Sequence, residues 1–146
     1  MNEDTLVVIA DANVLLPLLF GQTRRGKFLR LAWRKQHFWL ATTPAIIDEL
    51  ERVVTYPKVQ SNFGLDDDAI AQAFAIMHSV SLNFPGDYTD VQVITVDPSD
   101  NIYLAAALGS GADYLVSQDR HILGLKYFYG TQIISLAQFV RLLGIE

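Results

Sequence analysis

The chain has 146 residues and a mass of 16.3 kDa, with 51% hydrophobic and only 18% charged residues, so it is too apolar to stay disordered and large enough to bury one core. It contains no cysteine, which excludes disulfides, thiol nucleophiles and cysteine-ligated metal sites. The net charge of -5 ordinarily argues against a nucleic-acid partner. We expect residues 1–146 to form a single domain.

The N-terminal half of the chain predicts two strands and three helices. In chain order they are a strand at Leu6–Ala10, a helix at Gly26–Gln36, a strand at Phe38–Ala41, a helix that begins at Thr43 and Pro44 and ends near Val54, and a helix at Ala69–Val80. Thr43 is a suitable helix cap, with Pro44 at the first helical position. Asp66, Asp67 and Asp68 precede the third helix, whose positive end favours carboxylates.

The C-terminal half predicts three further strands and two helices. In chain order they are a strand at Val91–Val96 after the loop Asn83–Asp90, a helix at Ile102–Leu108, strands at Tyr114–Ser117 and Gln132–Ile134, and a last helix through Leu143. Gly109 or Gly111 is expected to end the first of these helices. Ser135 and Gln138 have the spacing of a capping box at the start of the last one.

Short buried strands separated by helices are typical of a parallel sheet with helices on both faces. The sequence therefore predicts an α/β fold, a three-layer α/β/α sandwich with a central, mostly parallel five-stranded sheet. In such sheets, ligands bind beyond the carboxyl ends of the strands. Polar residues that directly follow a strand are therefore the first candidates for a functional site.

No segment of the sequence predicts a membrane span or an export signal. No apolar run approaches the ~18 residues that a span needs. The first residues include Glu3 and Asp4 rather than the basic flank of a secretory signal. We therefore expect a cytoplasmic protein with no membrane partner.

Acidic residues follow the predicted strands at almost every carboxyl end. Asp11 follows the first strand, Asp100 the third and Asp119 the fourth, while Glu49 lies in the second turn of the helix after the second strand. If the sheet forms as predicted, these four carboxylates converge at one edge, where they repel one another unless a cation lies between them. All-oxygen ligation suits Mg²⁺ or Mn²⁺. The pattern therefore predicts the metal site of a phosphodiester hydrolase.

Each of these acids also has a simpler structural interpretation. Asp97 suits the cap of the helix that follows it, with Pro98 at the first position, and Asp100 could serve the dipole of that helix alone. Glu49 is one of three neighbouring acids, and only its helical phase turns it inward. Asp11 is the hardest to explain by structure alone, because a buried carboxylate without a partner is costly.

A basic stretch interrupts this acidic chain. Six of the eleven basic residues lie within twelve residues that contain no Asp or Glu. The helical period puts Phe28, Leu31 and Ala32 on an apolar face, with basic residues opposite. Such a stretch is either a solvated helix face or a set of phosphate contacts for RNA. The RNA-binding candidates are Arg24, Arg25, Lys27, Arg30 and Arg34.

Three segments of the sequence resemble the signature blocks of PIN domains. They are ADANVLL (Ala10–Leu16), TPAIIDELERV (Thr43–Val53) and DPSDNIYLAAALGSGADYLVSQDRHIL (Asp97–Leu123). The last block is the most specific, because a strand-end acid, an acid-headed alanine-rich helix and a strand ending in Ser-x-Asp follow one another in fixed order. The similarity covers essentially the whole chain. It is closest to the prokaryotic branch of VapC-like toxin components of toxin-antitoxin systems.

PIN domains are metal-dependent ribonucleases on a parallel sheet, so the resemblance implies roles for individual residues. The residues that match the acidic metal ligands are Asp11, Glu49, Asp100 and Asp119. By the same resemblance, Asn13 steadies the first acid and Ser117 stands where the family often has threonine. Asn101 stands where close relatives often carry a second Asp, so the local charge is one lower here. The resemblance also implies a homodimer and an antitoxin protein whose segment fills the groove.

The first hypothesis for function is a Mg²⁺- or Mn²⁺-dependent endoribonuclease. The metal would lower the pKa of a bound water, which attacks the phosphate in line and leaves a 5′-phosphate and a 3′-hydroxyl. A catalytically silent RNA-binding or assembly module with the same fold is the alternative, although none of the four acids is missing. A phosphoacceptor receiver is disfavoured because Asp11 is not paired with a second acid, and a DxD phosphatase because Asn13 stands in place of its second acid.

Overall fold

The structure is a computed structural model that describes residues 5–86, 91, 93–94 and 98–144. Six strands and eight helices are found in these residues. In chain order they are β1 (Leu6–Ala10), α1 (Ala12–Phe20), α2 (Arg24–Arg34), β2 (Phe38–Thr42), α3 (Pro44–Val53), α4 (Pro57–Phe63), α5 (Asp67–Val80), β3 (Leu82–Asn83), α6 (Asn101–Ser110), β4 (Tyr114–Val116), α7 (Arg120–Leu123), β5 (Tyr127–Phe128), β6 (Thr131–Ile134) and α8 (Leu136–Leu142). A short 3₁₀ turn, Pro98–Asp100, precedes α6.

The strands form one sheet in the order β3-β2-β1-β4-β6-β5. All neighbouring pairs are parallel except β5 and β6, which form an antiparallel hairpin. The predicted α/β fold with a mostly parallel central sheet is therefore confirmed, with six strands rather than five. The additional strand, β5, has only two residues, which is too short to leave an alternating pattern in the sequence.

The third strand of the sheet differs from the predicted one. β3 pairs in parallel with β2, with Ala41 opposite Leu82. The predicted strand Val91–Val96 and the predicted loop Asn83–Asp90 lie partly outside the described residues, and positions 91, 93 and 94 belong to no strand. The periodicity of so short an apolar run does not distinguish a strand from another type of segment.

Three helices are not predicted by the sequence, and α1 is the most important of them. Nearly all its residues are buried, and Pro17 lies in its interior. A helix that is apolar all round has no 3.6-residue period, and an interior proline removes a helical hydrogen bond. Tertiary packing therefore decides the conformation of this segment. The other two unpredicted helices, α4 and α7, have only seven and four residues.

Three of the helix ends that the sequence predicts are present. The Thr43 hydroxyl accepts the Ile46 N–H at the start of α3. The capping box at the start of α8 is complete, with Ser135 Oγ 3.1 Å from Gln138 N and Gln138 Oε1 2.8 Å from Ser135 N. Gly111, with a left-handed φ of 63°, ends α6. These local signals define their helix ends without reference to the rest of the fold.

The core lies around the central strands β1 and β4. Ile9 and Leu115, on these neighbouring strands, are both 0% exposed. α6 packs against β1 and β4 and also contacts α3. Leu104 and Ala106, in the middle of α6, are completely buried. Among the described helices, none combines the length and the apolar character needed to cross a membrane.

Gly26 marks a close approach between α1 and α2, and we expect Gly26→Ala to destabilise the fold. An added Cβ would lie 3.0 Å from the carbonyl oxygen of Pro17 and 3.1 Å from the Cα of Gly21. Both are backbone atoms that cannot rotate away, so we expect a loss of about 1 to 2 kcal/mol despite the better helix propensity of alanine. The measurement is urea unfolding. The control is Gly130→Ala, where nothing lies within 4 Å of the new Cβ.

Candidate active site

The candidate active site lies where two central strands end side by side. β1 and β4 are neighbours at the centre of the sheet. After β1 the next strand, β2, is added on the outer side of β1, whereas after β4 the later strand β6 is added on the outer side of β4, in the opposite direction. Such a change of direction opens a crevice at the carboxyl ends of the two strands. Asp11 directly follows β1, and Ser117 and Asp119 follow β4. The structure therefore brings these three predicted site residues to one edge of the sheet.

Asp11 is held in place by two different contacts. Its Oδ1 accepts the Val14 N–H at 3.0 Å and caps α1. Its Oδ2 accepts a hydrogen bond from the Ser117 hydroxyl, across 106 residues of sequence. The side chain is only 4% exposed. Asp11 thus has a structural role as a helix cap and is also a buried charge at the crevice.

Burial raises the pKa of the Asp11 carboxyl above its ordinary value. The Ser117 hydroxyl and the backbone N–H groups of Val14 and Gln118 oppose this effect, because they favour the ionised form. The negative charge of Asp119 adds to the rise. The ionised carboxylate is therefore unfavourable here unless a positive charge compensates it.

Ser117 connects the first and the last of the predicted acids. It is completely buried, and its oxygen accepts the Asp119 N–H at 2.9 Å while its hydroxyl donates to Asp11. The Asp119 Oδ1 in turn accepts the His121 N–H at 2.7 Å and caps α7. This chain of hydrogen bonds fixes the loop after β4 relative to the end of β1.

Glu49 and Asp100 lie on helices at the border of this crevice. The side chain of Glu49 is 21% exposed, whereas Asp48 and Glu51 are exposed, as the helical phase predicts. Glu49 forms an ion pair with Arg52 one turn later on α3. Asp100 is partly buried, and its side chain does not cap α6. Asp100 stands at the N-terminal end of α6, where a negative charge also suits the helix dipole.

The residues that were expected to support the acids differ in their positions and contacts. Asn13 is exposed on α1, and in the described part of the chain the hydrogen bonds to the Asp11 side chain come from Val14, Ser117 and Gln118 instead. Asp97 lies outside the described residues. Asn101 is buried, and its side chain binds the backbone N–H and C=O of Ile94 at 2.8 and 2.9 Å. Asn101 thus anchors the segment before α6, a task that needs both a donor and an acceptor and that Asp could not perform.

Tyr103 lies at the candidate site, although the sequence does not predict it there. It is 4% exposed on α6, one turn after Asp100, and its hydroxyl accepts the Ala12 N–H at 3.1 Å. Burial raises its pKa, and the charges of Asp11, Glu49 and Asp100 raise it further. Three of the four predicted acids thus act electrostatically on one phenol. The available signal was the three-residue spacing from Asp100, which places both side chains on the same helix face.

The oxygen atoms gathered here suit a hard divalent cation. Asp119 acts on Asp11, and three acids act on the Tyr103 hydroxyl. Within the described residues, no three acidic or histidine side chains form a ready-made metal cluster. Mg²⁺ is usually bound through one or two carboxylates and keeps several waters. The donor set therefore fits such an ion without a preformed cage.

The basic stretch lies on α2, and its exposed face differs from the predicted one. The buried residues of α2 include Leu29, Ala32 and Trp33, whereas Phe28 and Leu31 are 38% and 48% exposed. Phe28 and Leu31 line a groove of about 420 Å³ together with Gln22, Arg24 and Lys27. The outer surface of α2 is therefore both basic and apolar.

Arg30 differs from the other members of the basic stretch. Its guanidinium donates hydrogen bonds to the carbonyl oxygens of Leu18 and Leu19 at 3.2 Å and of Gly21 at 2.6 Å. These carbonyls lie at and just beyond the last turn of α1, where helical acceptors lack intrahelical partners. Arg30 thus caps α1, which gives it a structural role, and the phosphate contact that the sequence predicts for it stays a prediction.

Comparisons with known proteins identify a similar family and a similar fold. The PIN domain family matches residues 7–121. The fold is similar to that in the crystal structure of VapBC2 from Rickettsia felis bound to a DNA fragment from their promoter, with a TM-score of 0.58, 12% identity, and coverage of 89% of this chain and 98% of that chain. It is also similar to PAE2754 from Pyrobaculum aerophilum, with a TM-score of 0.59, 19% identity, and coverage of 99% and 100%. No curated protein matches the chain.

Proposed function

Because the chain belongs to the PIN domain family, we propose that it is a divalent-metal-dependent endoribonuclease that hydrolyses RNA phosphodiester bonds. The proposed cofactor is Mg²⁺ or Mn²⁺, and the proposed substrate is RNA in the cytoplasm. The proposal extends to a role as the toxin component of a toxin-antitoxin system, with a homodimer and a cognate antitoxin protein. The sequence blocks shared with VapC-like proteins and the similarity in fold to VapBC2 support this extension.

The observation that carries the proposal is the buried carboxylate of Asp11 at the crevice. Burial and the charge of Asp119 both make its ionised form unfavourable. A buried anion is costly unless a positive charge compensates it. A divalent cation is the compensating charge that fits best, because the neighbouring acidic donors are hard oxygen atoms.

Four acidic residues would hold the ion, and they differ in how firmly they are placed. Asp11 and Asp119 are fixed by hydrogen bonds to backbone N–H groups. Glu49 uses one carboxylate oxygen, Oε2, in an exposed ion pair with Arg52 that is worth little in water, and its other oxygen could ligate the ion. Asp100 lies at the start of α6. A bound divalent cation would supply positive charge for the phosphate oxygens and activate the attacking water.

The serine at this site supports the carboxylates and is not a nucleophile. Ser117 is completely buried, its proton is donated to Asp11, and its oxygen accepts the Asp119 N–H. A serine nucleophile needs an exposed oxygen and a base that withdraws its proton. Water is therefore the nucleophile in the proposed reaction, and the role of Ser117 is to hold Asp11 in position.

The exposed basic residues of α2 are the proposed contacts for the RNA backbone. α1 connects the two regions, because Asp11 lies at its start and α2 packs beside its end. Nine helical residues span about 13 Å at 1.5 Å per residue. An RNA strand that reaches both regions must therefore extend beyond the cleaved bond. Four of the predicted candidates are exposed on α2, namely Arg24, Arg25, Lys27 and Arg34, whereas Arg30 also binds the end of α1.

We expect the double variant Arg24→Ala/Lys27→Ala to bind RNA more weakly and with a flatter salt dependence. Each phosphate contact to a single strand contributes about 0.7 to the slope of log K against log salt, so the loss of two contacts lowers the slope by roughly 1.4. The matched control is Lys58→Ala/Arg141→Ala, which removes one lysine and one arginine from exposed positions elsewhere. Equal slopes for the two variants would show that α2 presents only a solvated face.

The direct test of the function is to incubate the wild-type protein with RNA and with DNA of the same sequence, in Mn²⁺ and in chelator. We expect the protein to cleave RNA but not DNA, and to do so in Mn²⁺ but not in chelator. The downstream product should carry a 5′-phosphate. A protein that binds RNA but cuts none of a broad panel with any divalent metal would instead be the catalytically silent module.

A further inference from the structure

The Tyr103 hydroxyl connects two elements that carry acidic residues of the site. It lies on α6, one turn after Asp100, and accepts the N–H of Ala12, the residue directly after Asp11. We propose that Tyr103 is a positioning residue that holds the Asp11 and Asp100 carboxylates at the separation that a divalent cation requires. This inference rests on the proposed metal-dependent function.

The hydrogen bond to Ala12 gives α1 a fixed starting point. The first N–H groups of a helix have no intrahelical partner. In α1, the Val14 N–H is satisfied by Asp11 and the Ala12 N–H by Tyr103. The Tyr103 bond joins residues 91 positions apart in the sequence. It thus ties the start of α1 directly to the helix that begins beside Asp100.

The hydroxyl has one further capacity that a phenylalanine would lack. A phenol can accept and donate, and the bond from Ala12 uses an oxygen lone pair. The charges of Asp11, Glu49 and Asp100 all act on this group. The same charges, together with burial, raise its pKa and keep it neutral. A neutral phenol adds no further charge beside the three carboxylates and so does not compete with a cation for them.

The test compares Tyr103→Phe with the control Tyr114→Phe. Tyr114 begins β4, at the opposite end of the sheet from the acids. Each variant therefore loses one phenolic oxygen, but only Tyr103→Phe loses it at the site. Calorimetry measures Mn²⁺ binding, melting in chelator measures stability, and RNA cleavage gives kcat and KM. For Tyr103→Phe we expect a Kd for Mn²⁺ raised about five- to tenfold and a lower kcat at unchanged KM, while Tyr114→Phe retains wild-type values.

The outcomes separate this inference from the proposed function. If the wild-type protein does not bind Mn²⁺, the proposed function fails. If the wild type binds Mn²⁺ and Tyr103→Phe melts lower in chelator but keeps the wild-type Kd, Tyr103 is only a core residue and the inference is overturned.

A measurement on the wild-type protein covers the case in which the variant does not fold. In a Mg²⁺ titration followed by NMR, we expect the Ala12 amide and the Tyr103 ring to shift with the same midpoint as Asp100. Unchanged Tyr103 and Ala12 signals at saturation of Asp100 would equally overturn the inference.

Discussion

Replacing Asp100 by Asn is expected to leave a folded protein that binds RNA and cuts it at least about 10²-fold more slowly. Asparagine keeps the size of the side chain but removes the negative charge. Asp100 does not cap α6, so the helix start loses little. Electrostatic groups that act on the reacting phosphate typically contribute a factor of this size. The measurement is the initial rate of RNA cleavage in Mn²⁺ at saturating RNA.

The matched control for this change is Asp67→Asn. Asp67 is an exposed aspartate in the first turn of α5, so it also tests the effect of removing a negative charge from the start of a helix. We expect wild-type cleavage from this control. If Asp100→Asn retains at least half of the wild-type rate while binding RNA normally, Asp100 has no part in the reaction.

Replacing Asp11 by Asn is expected to abolish the stabilisation by Mn²⁺ without destabilising the metal-free protein by more than about 1 kcal/mol. In the wild type, free Mn²⁺ at a hundredfold above its Kd should add about 2.7 kcal/mol. Asn is as good a helix cap as Asp, so the Val14 N–H keeps its acceptor. The Ser117 hydroxyl loses its charged acceptor, which offsets part of the gain from removing a buried charge. Thermal melts in chelator and in Mn²⁺ measure both effects.

The pH dependence of stability provides a second measure of the same charge. Because the folded-state pKa of Asp11 lies above the ordinary value of 3.8, the folded protein binds the proton more tightly than the unfolded chain does. In the metal-free wild type, the contribution of Asp11 to stability therefore falls as the pH rises from near 3.8 through the raised pKa. Asp11→Asn should lack this part of the decline.

The control for Asp11 is Asp113→Asn. Asp113 also accepts a backbone N–H, from Val7 at 2.8 Å, but it lies at the other end of the strands and is exposed. We expect this variant to keep the full gain from Mn²⁺. If Asp11→Asn is destabilised equally in chelator and in Mn²⁺, Asp11 is a structural acid and must be removed from the metal site.

The features that could be predicted from the sequence depend on neighbouring residues. Thr43 before Pro44 and Ser135 before Gln138 define helix starts because a cap and its partner are three residues apart or fewer. The order of strand ends also predicts that Asp11 lies near Asp119, since both follow central parallel strands.

The features that could not be predicted depend on contacts between distant segments. α1 has no polar face to produce a period, so its helix is visible only once the surrounding core is known. In the sequence, Arg30 cannot be distinguished from the other basic residues of α2. Only the position of the end of α1 shows that Arg30 binds carbonyl oxygens. Tyr103 is one aromatic residue in an apolar helix until its partner, Ala12, is known.

The dependence of α1 on distant partners has a consequence for the order of folding. Its two ends are held by Tyr103 and Arg30, and Pro17 removes one internal hydrogen bond. A nine-residue helix is not stable alone, and contacts between distant residues form late because a long loop must close first. Since Ser117 fixes Asp11 from 106 residues away, a chain still emerging from the ribosome has no assembled acidic site until β4 and the loop after it have been synthesised.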